Sequence, residues 1–318
     1  MNRAAYRPEI VLKPVDIAPW RDGNRGVPYV HTFESGRPGP HLMVNALTHG
    51  NEVCGAHTLR FLLEEGVRPL RGTLTLSFAN VGAYESFDPE YPFVSRFLDE
   101  DFNRLWNEAT LDGPRQSREL ARARAMRPVF DACDHLLDIH STELPQAPML
   151  LAGTRRKNIE LARTLGFPAH VVVDGGHKAG KRVRDYARFD DPDQPNLALL
   201  VECGQHFEAA ARDVAIQTTL RFLQAFDAVD AAFLRKHLSA DPLPRQIVVE
   251  VTQLVTVVNG PFRFVEDYRG FDIVKRKGTV IGYDGEAPVA TPYDDCVLVM
   301  PARAPAQGNT AVRLGRLL

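Results

Sequence analysis

The chain has 318 residues, 44% hydrophobic and 25% charged, the composition of a globular protein with room for one large domain and a smaller one. Lys plus Arg total 38 and Asp plus Glu 40, a formal net charge of −2, so nothing draws the chain generally to nucleic acid or to an anionic membrane. The first twenty residues lack the apolar stretch of a signal peptide and no run of eighteen apolar residues occurs anywhere, which excludes a membrane helix. Cys54, Cys133, Cys203 and Cys296 are scattered without a CxxC pair, the pattern of reduced thiols in a cytoplasmic protein.

From residue 40 to 236, short apolar runs alternate with amphipathic stretches, which predicts an α/β domain. Residues 41–47 predict a buried strand. A helix follows, with Val53, Ala56, Leu59, Leu62 and Leu63 on one face and Gly66 as its stop. Residues 73–79 predict a second strand and 115–134 a long helix leading into a strand at 136–139. Further strand-length runs lie at 149–152, 171–173 and 197–201, and 208–238 reads as one helical stretch. Ser-Ala-Asp-Pro-Leu-Pro then breaks the pattern, predicting a boundary between a domain of residues 1–238 and one of 245–318. Past it, β-branched runs at 247–251, 254–258 and 297–299, punctuated by Gly and Pro, predict a small all-β domain.

Three motifs fall at the ends of predicted strands, where open α/β sheets gather ligand-binding side chains. Thr48-His49-Gly50-Asn51-Glu52 places a His and a Glu three residues apart at a strand–helix turn, able to converge on one cation. Asp138-Ile139-His140-Ser141-Thr142 adds a second histidine just past an apolar strand, with Asp138 placed to orient a ligand histidine by hydrogen bonding. In Leu199-Leu200-Val201-Glu202-Cys203-Gly204 a carboxylate ends a strongly apolar strand, where an unpaired charge would be costly, so Glu202 needs a partner. His plus Glu, His, and a free Glu match a catalytic zinc site, which takes three protein ligands and keeps one position open. His41, His57, His177 and His206 match no such motif and read as structural or solvated.

These segments, together with Asp101-Phe102-Asn103-Arg104, resemble the succinylglutamate desuccinylase/aspartoacylase family, relatives of the zinc carboxypeptidases, over about residues 40–236. The resemblance implies a zinc carboxypeptidase-like mixed sheet flanked by helices, followed here by the small all-β domain. It implies one Zn²⁺ per chain held by His49, Glu52 and His140, with Glu202 activating water. It also implies that Arg96 polarises the scissile carbonyl and that Asn103 and Arg104 bind a substrate carboxylate. A basic stretch, Lys178 to Ala187, carries an Arg-x-x-Ala at Arg184 that resembles a further substrate arginine of aspartoacylases; an inserted loop at 189–196 separates it from Glu202, and a charged lid is the other reading.

The β-rich tail loosely resembles the strands of biotinyl or lipoyl domains but has no counterpart of their modified lysine. It is expected to narrow access to the metal, with Tyr283 or Tyr293 as candidates to reach the site. The activity implied is hydrolysis of the amide bond of a small N-acyl amino acid or related acyl amide. A metallocarboxypeptidase acting on a small peptide, and a zinc-binding protein without catalysis, are the other readings. The sequence leaves the acyl group, the amine and any homo-oligomer open.

Overall fold

The computed structural model describes residues 6–177 and 179–318. Residues 1–5 of the N-terminal stretch and Lys178 of the basic stretch lie outside the described residues. In chain order come β1 (Val30–Glu34), β2 (His41–Ala46), α1 (Val53–Glu64), β3 (Thr73–Phe78) and two short helices, α2 (Val81–Glu85) and α3 (Glu108–Leu111). Next are α4 (Arg118–Ala132), β4 (His135–Thr142), β5 (Met149–Leu151), α5 (Arg156–Leu165), β6 (His170–Val173) and β7 (Leu197–Gln205). The helices α6 (Ala209–Ala225) and α7 (Ala231–His237) close the helical part. The tail holds β8 (Ile247–Thr256), β9 (Phe262–Phe264), β10 (Ile273–Val274), β11 (Val280–Asp284), β12 (Ala287–Ala290), β13 (Cys296–Val299) and β14 (Thr310–Leu317).

Eleven strands form one mixed sheet in the order β1-β3-β2-β4-β7-β5-β6-β8-β14-β13-β10. Its centre, β3-β2-β4-β7, is parallel, and β5 runs antiparallel to β7. Side-chain alternation along these strands gives the sheet two different faces. Val44, Leu137, Ile139, Leu199 and Val201 pack with α1, α5 and α6, whereas Met43, Leu136 and Ala198 pack with Trp106 and α4. His140 shares the parity of Leu136, and Glu202 that of Ala198, so both project from the α4 face. The register sets His140 directly opposite Glu202 on neighbouring strands.

Two expectations about these elements need correction, and one strand is new. His140 lies within its strand rather than just past it, and Glu202 inside its strand rather than at the end, because the β4–β7 ladder continues to Thr142 and Gln205 across a bulge. The helical stretch 208–238 is two helices: Asp227 takes a left-handed φ of 52°, and the Asp230 carboxylate caps α7 by accepting from the Ala232 and Phe233 amides. Val30–Glu34 forms a strand the sequence reading did not contain, paired antiparallel with β3.

The tail is all-β, with a second, three-stranded sheet β12-β11-β9 and its own cluster around Val255, Phe262, Ile281 and Leu298. Its first strand, β8, pairs in parallel with β6, so the main sheet runs across the Pro-rich hexamer. Met149, Val172, Leu200, Val249 and Val297 form an apolar cluster on both sides of that line.

Candidate metal centre

Glycine at position 50 lets the turn after β2 approach α2: a Cβ there would collide with the Ala83–Tyr84 backbone and with the Ser95 carbonyl. The Gly50 amide donates to the Arg96 carbonyl at 3.0 Å, tying the turn to the segment that carries Arg96. Phe102 and Trp106 anchor the next segment among Phe130 and Tyr186, with the Trp106 ring centroid 4.5 Å from that of Phe130. Asp101, just before the first anchor, and Asn103 and Arg104, between the two, line a cavity of about 530 Å³ together with His49, Glu52 and Glu202.

Inside it, one ligand atom from each of His49, Glu52 and His140 lies within 4.8 Å of the others, and all three side chains are buried. His49 Nδ1 is 2.8 Å from Glu52 Oε1, and His140 Nδ1 is 2.8 Å from Glu52 Oε2. The far nitrogens meet other carboxylates: His140 Nε2 lies 2.8 Å from Asp138 and His49 Nε2 2.9 Å from Asp101. Donation from Nε2–H to those aspartates leaves an Nδ1 lone pair on each ring aimed at a common centre, the arrangement of metal-ligating histidines. Arg96 Nη2 also lies 2.9 Å from His49 Nε2, but two donors cannot share that bond, so Arg96 is held instead by the Asp101 carboxylate at 3.3 Å. Asp138 is fixed in turn by Asn45 and Thr48, which donate at 2.8 and 2.9 Å.

The electrostatics fit a cation. Burial disfavours a charged His140, yet Asp138 and Glu52 raise its pKa well above the usual histidine range. Burial likewise opposes the charge on Glu52, and His49 and His140 outweigh it, holding the carboxyl well below its usual value. One carboxylate and two imidazole nitrogens, with a cation taking the place of the proton that Asp138 and Glu52 favour on His140, make a donor set suited to Zn²⁺. Glu202 differs: burial and the neighbouring Glu52 push it up to about 8, and its Oε2 is buried without a hydrogen-bond partner.

Around this centre the walls are rich in arginine. Arg104 donates to the Asn103 carbonyl at 2.7 Å and stands 3.7 Å from Asp101; burial, with Arg96, Arg182 and Arg313 nearby, pulls its pKa down to about 10 despite Asp101. Asn103 Oδ1 accepts from the Val183 amide at 2.8 Å, which leaves its Nδ2 as the donor still to be used. Arg184 is not among the lining residues. Its guanidinium is fully buried, donating to Asp185 and to the Ala152 and Ala198 carbonyls, so it serves the fold beneath the cavity. Arg182, two residues earlier, does line the cavity, between Asp174 at 2.8 Å and Asp185 at 2.5 Å.

The tail reaches the cavity by other residues than expected. Tyr293 hydrogen-bonds Thr252 at 2.5 Å, Tyr283 sits half-exposed on β11, and neither is a lining residue. Arg303, Thr310 and Arg313 are. Arg313 donates to His177 Nε2 at 2.8 Å and lies 3.5 Å from Asp174; burial and the surrounding arginines push His177 down to about 2, keeping it neutral. His177 thus belongs to the cavity wall. His206 is buried behind the site, 2.8 Å from the Ser141 hydroxyl. His41 bonds Thr75 at 2.7 Å, and His57 bonds the Lys13 carbonyl at 2.8 Å, both structural. A lone arginine in the apolar run Ala311-Val312-Arg313-Leu314 was the signal for Arg313.

Fold and site define a mixed α/β protein with a candidate metal centre at its strand ends. Residues 38–228, more than half of the chain, match the succinylglutamate desuccinylase/aspartoacylase catalytic domain, and the chain belongs to that family. Its fold is that of solved relatives. A succinylglutamate desuccinylase from Vibrio parahaemolyticus is 17% identical, with 92% of this chain and 86% of that one covered and a TM-score of 0.63. Murine aminoacylase 3 is 18% identical over 89% and 96% of the two chains, with a TM-score of 0.61. An ectoine utilization protein, EutE, from Ruegeria pomeroyi is 15% identical over 91% and 88%, with a TM-score of 0.62. No curated protein matches the chain by sequence. Among the described residues, no helix is long and apolar enough to cross a membrane.

Proposed function

We propose that the protein is a zinc-dependent deacylase that hydrolyses the amide bond of a small N-acyl amino acid, with His49, Glu52 and His140 as the zinc ligands. The observation that carries this reading is the pairing of a converging His-Glu-His set with a buried, unpartnered carboxylate beside it. Zinc bound there supplies Lewis acidity, acidifying water and polarising a carbonyl. Glu202, raised toward neutrality by burial, accepts the proton of the attacking water and returns it to the leaving nitrogen. Arg96, steadied by Asp101, offers its guanidinium to the oxygen on which negative charge develops. Arg104 and the free Nδ2 of Asn103 take the carboxylate of the amino acid.

In place of Arg184, Arg313 is the further cation that faces bound substrate, already partly neutralised by Asp174, while Arg182 braces the wall beside it between Asp174 and Asp185. The 245–318 segment acts as the cover of the site through the loop 300–309 and Arg313. The test is amine release from a panel of N-acetyl, N-succinyl and N-formyl amino acids by protein reconstituted with zinc. Zinc-dependent release from at least one member is the expected result; none across the panel overturns the reading.

A further inference from the structure

Beside the metal cavity lies a second one of about 430 Å³, and the two share the wall residues Leu144, Gln146 and Pro301. The shared wall is built on the loop that leaves β4 directly after His140-Ser141-Thr142. That loop is held in place: the Thr142 hydroxyl donates to the Leu144 carbonyl at 2.9 Å, and Gln205 Nε2 donates to the Glu143 carbonyl at 3.3 Å. Gln146 therefore stands six residues from a proposed metal ligand on a fixed support.

Its amide is the unusual feature. Gln146 Oε1 is shut off from solvent and has no hydrogen-bond partner. Buried side-chain oxygens are nearly always paired, and one left bare marks a place where a ligand can supply the missing donor. Space for this amide exists because residue 270 is glycine: a Cβ there would stand 2.5 Å from Gln146 Oε1. The rest of the second cavity is mixed: Pro145, Ala147 and buried Tyr268 stand with Glu208, Asp267 and Arg269, charges of both signs. Such a lining suits a neutral polar group better than an alkyl chain or a bare charge.

We propose that this second cavity is a subsite of the same active site, taking an acyl group extended by a further amide, with Gln146 as the residue that recognises that amide. The assignment to the acyl side rests on the reading above: a carboxylate held by Asn103 and Arg104 closes the amine side, so the substrate can lengthen only through its acyl group. A secondary amide both donates and accepts, and so completes Gln146 whichever way its own amide is turned.

The test compares N-acetyl-L-glutamate with N-(acetylglycyl)-L-glutamate, which differ by one amide unit on the acyl side. Binding is read by titration calorimetry on the full-length, zinc-loaded Glu202→Gln protein, which holds ligands without turning them over. The extended ligand is expected to bind at least tenfold more tightly. Gln146→Leu in that background should bring the ratio below threefold while leaving the Kd of N-acetyl-L-glutamate within twofold. Gly270→Leu, which intrudes on the same space, should do likewise, and circular dichroism reports whether each variant is folded. Equal affinities in the parent protein, no binding of either ligand, or a preference that survives both substitutions overturns the subsite. Turnover by the unsubstituted enzyme decides the other question: tenfold preference in binding, with no glutamate released from either compound and no amine from any member of the panel above, leaves the subsite standing and sinks the deacylase reading.

Discussion

Around one cavity the chain buries two groups of charge, and they differ in how they are neutralised. At Asp174, Arg182 and Asp185 every acid meets a base of the chain itself, at 2.8 Å for Asp174–Arg182 and 2.5 Å for Asp185–Arg182. At His49, Glu52, His140 and Glu202 the carboxylates Asp101 and Asp138 orient the rings from behind, and the inward-facing atoms have mainly each other, with the Ser141 amide at 3.2 Å and Arg96 at 3.5 Å beside Glu52. Burial alone does not separate the two groups, since both are nearly inaccessible. Closure does. A self-neutralised set stabilises the fold, whereas a set whose lone pairs converge is completed by something that binds.

The comparison breaks most completely at the open cluster. Purified protein should carry close to one zinc per chain, and His140→Ala or His49→Ala should lose it and all measurable turnover, because two remaining ligands hold the ion too weakly. Full zinc by elemental analysis in both variants would refute the ligand assignment. Glu202→Gln should keep the zinc while turnover falls on the order of 10²–10⁴-fold, the usual cost of removing a general base. Near-normal turnover in that variant places the base elsewhere.

The closed cluster should answer in stability instead. Asp174→Asn leaves Arg182 buried without its principal partner, a change expected to cost about 3–5 kcal/mol and to lower the melting temperature, with zinc content unchanged. The pH dependence has a definite sign. Burial opposes the charge on Asp174 and Asp185, but Arg182 outweighs it and holds both carboxyls below their usual value. Their contribution is therefore complete above the unfolded aspartate pKa of about 3.9 and is lost as pH falls below it. Acid denaturation curves of Asp174→Asn should be shallower than those of the unsubstituted protein; parallel curves would show that the network is not a source of acid sensitivity. The smallest effect belongs to the boundary between the clusters. Arg104→Lys keeps charge but loses the planar fork, and should raise KM roughly tenfold with little change in kcat or zinc. Amidating the substrate carboxylate should then cost the variant far less than it costs the parent. Equal turnover of free-acid and amidated substrates by the parent enzyme would remove the carboxylate from the account.

The open cluster was legible because each part is a short motif with a fixed local setting: a His and Glu across a strand–helix turn, and His140 and Glu202 each where an apolar run gives way to polar residues. The closed cluster was not, because Asp174 and the turn that carries Arg182 and Asp185 form no motif of fixed local geometry, and only the fold pairs them. Arg184 and Arg182 illustrate this limit. They flank Val183 in a tight turn, Val183–Asp185, where neither strand nor helix period dictates which side chain faces the cavity. Arg313 entered from the far end of the chain, and Gln146 has no motif around it at all. The break at Asp227 escaped notice because residues on both sides favour helix.

The ladder between β6 and β8 has a consequence for how this protein can be cut. A chain stopped at residue 244 would leave β6 as an exposed border, with the amides and carbonyls of Val171 and Val173 that face β8 unpaired and its apolar side chains freshly bared. Such borders recruit other chains. The tail is thus also a guard against self-association, and a truncated catalytic region is expected to aggregate rather than to persist as an open, uncovered enzyme.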